Sequence, residues 1–229
     1  MKSLKDGVNA SISAMTTKNV VISHYNSLCS LYKLHPLRFP QQTSQRTGWH
    51  LKENHNVLTV LKRMGADLDF INQTTEYMRF ERIVNLNNYW IGLDKLSKLT
   101  KPMKAKLKCS FHSVTDNANH TLWFKDFQVR DRKENYTIFL KGTTADEILI
   151  SNHHNGKPFS DKSLCAVVFQ SPNWYNNCYR FNWFEKMVDD EFKNCDTHCH
   201  IGYSKVLLHS PDGRKWHFIE KIHVQIYFE

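Results

Sequence analysis

The chain has 229 residues, 41% of them hydrophobic and 23% charged, proportions of an ordinary folded protein that exclude wholesale disorder. Eight Gly and six Pro exclude a collagen-like or linker-like chain, and the length fits one large domain or two small ones. A net charge of +9 favours anionic partners (glycosaminoglycan, nucleic acid or a membrane surface) without choosing among them.

Residues 1–56 are polar and irregular, with Pro36, Pro40 and the stretch Gln41-Gln42-Thr43-Ser44-Gln45. They read as a divergent N-terminal subregion ahead of a domain at 57–229. Val57–Leu61 is an apolar, β-branched run of strand length. Leu93, Leu96 and Leu99 recur at helical spacing, with Asp94 in the first turn and Pro102 as the stop. Next, Leu107, Cys109 and Phe111 alternate with Lys106, Lys108, Ser110 and His112, the period of a half-buried strand. Further strands are predicted at 121–129, 136–140, 164–169 and 223–228. Ser210-Pro211-Asp212-Gly213-Arg214 lies between two apolar runs and predicts a hairpin. The expected fold is α+β, antiparallel-rich, with a few short helices and many loops.

Six cysteines and four sequons, at Asn9, Asn72, Asn119 and Asn135, tilt the reading toward secretion, although Asn72 would also serve as a helix cap. The start lacks an apolar leader, and no run of 18 apolar residues occurs anywhere, so no membrane span is expected. The chain therefore reads as a mature or truncated piece of a secreted protein, or as an intracellular protein with incidental sequons. The densest constellation runs from Leu164 to Cys178. In it a strand leaves Cys165, Pro172-Asn173 turns, and Trp174-Tyr175 precede the second cysteine. Two amphipathic rings beside a closed loop can line a pocket; two core rings beside two free thiols fit equally well.

Trp174-Tyr175-Asn176-Asn177-Cys178 after Cys165-Ala166 resembles a segment of the fibrinogen C-terminal-like domain, found in fibrinogen chains, ficolins, tenascins and angiopoietin-related proteins. Asn88-Tyr89-Trp90-Ile91-Gly92-Leu93-Asp94-Lys95-Leu96 is similar to the most specific motif of that family. Asp67-Leu68-Asp69-Phe70-Ile71-Asn72-Gln73-Thr74, Phe124–Val129 and Asn135–Leu140 match further stretches in order, so the resemblance covers about 57–185. It implies a mostly antiparallel, twisted sheet with short helices and long loops. It also implies a Cys165–Cys178 bridge, a ligand pocket rimmed by Trp174, Tyr175, Asn176, Asn177 and Tyr179, and a cis peptide at Asn177–Cys178. Relatives carry an Asp-rich calcium loop before the first of these cysteines. Here Phe159-Ser160-Asp161-Lys162-Ser163-Leu164 keeps one acid, so calcium is expected to be lost and no cofactor is expected. The pocket's far wall also departs from the family at Asn182-Trp183-Phe184-Glu185.

Cys195-Asp196-Thr197-His198-Cys199-His200 has zinc-type ligands but lacks a second ligand pair, so a disulfide with exposed histidines is preferred and no metal is expected. Cys109 faces inward and fits a buried free thiol as well as a bridge, and Cys29 is the sole remnant of the family's N-terminal pair. Lys95, Lys98, Lys101, Lys104, Lys106 and Lys108 follow one another with no acid after Asp94, and read as a solvated face before a polyanion patch. No nucleophile elbow, metalloprotease helix or phosphate loop occurs, so no catalysis is expected. The resulting expectation is a secreted, non-enzymatic recognition module. It would bind a glycan, an acetylated ligand or a cell-surface receptor around Cys165–Cys178, with heparan sulfate as an added partner and oligomers formed through a region ahead of this chain. The alternative is a structural matrix protein with a decayed pocket and the polyanion patch at Lys95–Lys108.

Overall fold

A computed structural model of the chain describes residues 56–65, 70–85, 87–194 and 202–228. The sheet is built around its last strand. Strand β10 (Gly213–Tyr227) pairs antiparallel with β1 (Val57–Met64) on one side and with β4 (Ala105–Ser113) on the other. Beyond β1 lie β3 (Asn88–Trp90) and β2 (Arg82–Asn85); beyond β4 lie β5 (Ala118–Val129) and β6 (Ile138–Lys141). The order among the described residues is β2-β3-β1-β10-β4-β5-β6, all antiparallel. The first half of β10 turns back on β9 (Lys205–Ser210), with Ser210 opposite Gly213 and Pro211-Asp212 at the tip. Gly213 sits at φ +120°, a conformation that L side chains rarely adopt. The hairpin thus forms where Asp-Gly placed it. A two-stranded ribbon pairs β7 (Phe159–Ser160) with β8 (Asn173–Trp174).

Strand β4 buries every other residue, so Leu107, Cys109 and Phe111 face the core as the alternation requires. Cys109 is a free, fully buried thiol, and burial pushes its pKa well up. The helices are short: α1 (Thr75–Met78), α2 (Leu93–Thr100), α3 (Ala145–His154), α4 (Leu164–Phe169) and α5 (Asp190–Lys193). Helix α1 is capped by Thr74, whose hydroxyl accepts the Tyr77 N–H; Asn72, the expected cap, lies outside the helix at φ 55°. Helix α3 opens on a capping box between Thr144 and Glu147, and Glu147 also accepts the Trp123 N–H, tying α3 to β5.

The motif at 88–96 is the most tightly determined part of the frame. Trp90 donates its indole N–H to the Met78 carbonyl at 2.8 Å, which fastens α1 over β3. Gly92 lies at φ +87° with its α-carbon against the Arg79–Glu81 backbone; a β-carbon there would fall 2.6 Å from Phe80 C. Asp94 then takes the Arg79 guanidinium at 2.9 Å and the Tyr136 hydroxyl, so α1, α2 and the segment before β6 share one carboxylate. Burial would raise the Asp94 pKa, but these two partners hold it below the ordinary range.

Candidate functional site

The site grows from a capped turn of helix. Ser163 Oγ accepts the Ala166 N–H, and Gln170 ends α4 in the left-handed region at φ 51°. This corrects the strand expected at 164–169. The six-residue run Leu-Cys-Ala-Val-Val-Phe is too short to show its period, and the Ser cap decides it. The correction changes which side chains meet water. Leu164 is 80%, Val167 65% and Val168 52% exposed, while Ala166 faces inward.

Cys165 on α4 is bonded to Cys178, with Cα atoms 5.2 Å apart. The bridge implied by the resemblance is therefore present. Before it closes, Asn177 and Cys178 both adopt positive φ (47° and 62°), and the Asn176 N–H donates to the Cys178 carbonyl at 2.8 Å. The expected cis peptide is absent among the described residues; two successive left-handed residues make the reversal instead.

The expected rim is mostly interior. Trp174 is 2% exposed, donates its indole N–H to the Tyr136 carbonyl at 2.8 Å and packs edge-on to Phe159 and Trp183. Tyr175 is buried and donates its hydroxyl to the Ser171 carbonyl at 2.6 Å. The buried Tyr179 donates to the Glu185 carboxylate, whose two oxygens each lie 2.8 Å from its hydroxyl. Asn176 is half-buried and donates to the His153 carbonyl; Asn177 alone of the five is exposed. The rings are interior because a second, smaller core of Ala166, Tyr175 and Tyr179 forms under the disulfide, with Phe169 and Trp216 packed against it.

That small core holds a charge. The Lys205 ammonium lies 5.4–6.0 Å from the ring centroids of Phe218, Trp216, Phe169 and Tyr179, a cation enclosed by four aromatic faces. Below it Glu185 is completely buried, and burial pushes its carboxyl up to about 8 against the pull of Lys205, Tyr179 and Arg63. Arg63, also buried, donates to the carbonyls of Trp183 (2.9 Å) and Glu185 (2.6 Å). Thus the aromatic cage beside the disulfide is filled by the chain's own lysine. An open hollow of about 240 Å³ is lined by Phe169, Gln170, Lys186, Glu191 and Tyr203 among others, and it is smaller than ordinary ligand pockets of roughly 300 Å³ and more.

His154 is the residue that sequence reasoning missed. Its Nε2 accepts the N–H groups of Arg180 and Phe181, so Nδ1 carries the proton and donates to the Trp174 carbonyl at 2.7 Å. One neutral imidazole thereby ties together the chain on either side of Cys178. Burial lowers its pKa to about 4. The adjacent His153-His154 pair offers no sequence signal for this role.

The other expected residues are dispersed. Asn72, Asn119 and Asn135 are exposed, on a turn, on β5 and after a 3-10 turn at 132–134. Asn9, Cys29 and the Cys195–His200 cluster lie outside the described residues. Asp161, the single acid of 159–164, accepts the Thr75 hydroxyl at 2.6 Å. The lysine run loses much of its field to acids brought from elsewhere: Lys95 meets Glu81 (3.1 Å), Lys101 meets Asp131 (2.5 Å) and Glu134 (3.3 Å), and Lys104 nears Asp126 (3.8 Å). Lys108 lies over the Trp123 ring. Lys98 shares helix α2 with Lys95, and Lys106 shares strand β4 with Lys108.

Residues 39–218 match the family of fibrinogen beta and gamma chains, C-terminal globular domain. The chain belongs to that family. It is 30% identical to mouse tenascin over 110 residues, covering 44% of this chain and 5% of that protein. The fold is similar to the fibrinogen-like globe domain of human ANGPTL6 (TM-score 0.56, 19% identity, 75% of this chain and 77% of that one). It is also similar to lamprey fibrin D-dimer, which is complexed with the peptide ligand Gly-His-Arg-Pro-amide (TM-score 0.55, 14% identity, 99% and 90%). The chain thus spans a small part of tenascin and most of these two domains. Among the described residues no helix is long and apolar enough to cross a membrane.

Proposed function

We propose that this chain is an extracellular, non-enzymatic recognition module that docks a cell-surface protein on the face around Cys165–Cys178. The observation that carries the reading is α4. It presents Leu164, Val167 and Val168 to solvent from a helix pinned by a disulfide, and exposed apolar side chains on a rigid element are what a protein partner covers. Family membership and a disulfide, a bond that persists in oxidising compartments, support the extracellular setting. A glycan or acetylated ligand is the weaker choice, because Trp174, Tyr175 and Tyr179 are packed inside and Lys205 fills the cage. Exposed Asn72, Asn119 and Asn135 suit glycosylation. Calcium has no place in the reading: it takes six to eight oxygen ligands, and Asp161, the one acid of its loop, is turned to Thr75.

The test is flow-cytometric binding of the labelled full chain to a panel of cultured cells, with a glycan array alongside. Saturable binding that falls at least tenfold in a Leu164→Asp/Val168→Asp variant of unchanged melting temperature, with a silent array, supports the proposal. Array signals for acetylated sugars, or equal binding by the variant, overturn it. The polyanion reading has its own measure, elution from heparin. The chain's positive charge concentrates before Glu53, where seven basic residues face a single acid, Asp6. Elution unaffected by charge reversal of all six lysines of the 95–108 run would locate any heparin affinity outside it.

A further inference from the structure

The β4–β5 hairpin carries a constellation far from the cysteine loop in sequence. Asp116 sits in its turn, His120 on β5 and His217 on β10, so three separate segments supply one ligand atom each, and all three atoms lie within 4.8 Å of one another. His120 Nε2 is 2.9 Å from Asp116 Oδ2, and His217 Nδ1 is 3.5 Å from the same oxygen. A zinc ion with ligands at about 2.0–2.1 Å in tetrahedral array spaces its donors roughly 3.3 Å apart, and the two measured edges bracket that value.

The surroundings hold these donors in place. Thr115 Oγ1 donates to the Trp216 carbonyl at 3.3 Å and accepts the Phe218 N–H at 3.0 Å, so the turn is laced to β10 on both sides of His217. The His120 ring stacks on Phe111, with centroids 5.2 Å apart and planes 17° from parallel, and meets the His217 ring edge-on at 5.0 Å. Ser113 Oγ lies 3.2 Å from His217 Nδ1, a fourth polar atom at the edge of the set. The side chain of His217 is 7% exposed and that of Asp116 37%, so the triad has a dry floor and a wet mouth.

We propose that Asp116, His120 and His217 form a binding site for a divalent transition ion, zinc by ligand type, with its fourth position open to solvent. Two imidazoles and one carboxylate suit zinc and exclude calcium or magnesium, which take oxygen ligands. The ion would staple the β4–β5 turn to β10, three segments joined by one centre.

The experiment uses the full chain, stripped of metal with a chelator and titrated with zinc chloride against a chromophoric competitor. Wild type is compared with Asp116→Asn, His120→Ala and a Cys195→Ser/Cys199→Ser variant. The expected result is one zinc bound by wild type and by the cysteine variant. Affinity falls at least tenfold in Asp116→Asn and His120→Ala, and cobalt added in place of zinc shows no sulfur charge-transfer band. Asp116→Asn keeps a turn-forming side chain of the same size, so its melting curve without metal shows whether the fold is intact. No zinc uptake, equal affinity in Asp116→Asn, or loss of binding confined to the cysteine variant would each overturn the assignment.

Discussion

The motif at Trp90–Asp94 and the loop at Cys165–Cys178 are built on opposite plans. In the first, polar groups turn inward and find partners: the Trp90 indole on Met78, Asp94 on Arg79 and Tyr136, and Gly92 pressed against backbone. In the second, the rings turn inward and the aliphatic side chains of α4 turn out, held by a covalent link and by His154 underneath. The first region shows local and global preference in agreement. The second keeps apolar surface in water at the cost of that agreement, which is where contact with another molecule is expected.

The largest effect expected lies in the first region. Gly92→Ala places a β-carbon 2.6 Å from Phe80 C at a φ of +87°, and strain together with the clash should cost about 3 kcal/mol or more in urea unfolding. A loss below ~1 kcal/mol would mean that the frame is as adaptable as the loop. Next, Cys165→Ser/Cys178→Ser should cost about 3 kcal/mol for a separation of 13 residues, read from the same unfolding curves. It should also release α4 to faster amide exchange while β10 keeps its protection.

Acid sharpens the contrast. The His154 pKa is lowered to about 4, below its value in an unfolded chain of about 6.5. Between those values the unfolded chain holds a proton that the folded one lacks, so stability rises with pH and falls as pH drops from 6.5 toward 4. The accumulated loss is up to about 3 kcal/mol. His223, lowered to about 4 by burial with Lys62 and Lys108 nearby, adds the same sign. The slope of unfolding free energy against pH should therefore be shallower in His154→Gln by about one proton; an unchanged slope would remove His154 from the account. The smallest effect is on α4. Leu164→Asp/Val168→Asp should change stability by less than about 0.5 kcal/mol, because the side chains are already 80% and 52% exposed.

What the sequence disclosed follows from which signals are local. The alternation of Leu107, Cys109 and Phe111, the Asp-Gly hairpin and the stop at Pro102 are each written in a few adjacent residues, and each element stands where it was read. The bridge and the family came from spaced motifs. By contrast, the sequence of α4 suggests a strand because Val167-Val168 carry β propensity and six residues show no period, and the Ser163 cap decides for helix. The rim of Trp174 and Tyr179 is what the family resemblance implies, whereas their packing against Trp183, Glu185 and Lys205 follows from tertiary contacts that no sequence period shows. The lysine run read as acid-free because Glu81, Asp131 and Glu134 arrive through tertiary contact. Asp116 and His120 are neighbours around the β4–β5 turn, but His217 reaches them only because β10 pairs with β4, with Ile219 opposite Ser113.

The position of β10 has a kinetic corollary. The strand at the middle of the sheet is the last in chain order among the described residues, so a nascent polypeptide emerges with β1 and β4 lacking the neighbour that joins them. Until that closing segment clears the ribosome both edges stay open to mispairing, and the pairings it makes bridge long stretches of chain, which makes for slow maturation. Without the residues from Gly213 on, the described strands would form two part-sheets, β2-β3-β1 and β4-β5-β6, with nothing between them.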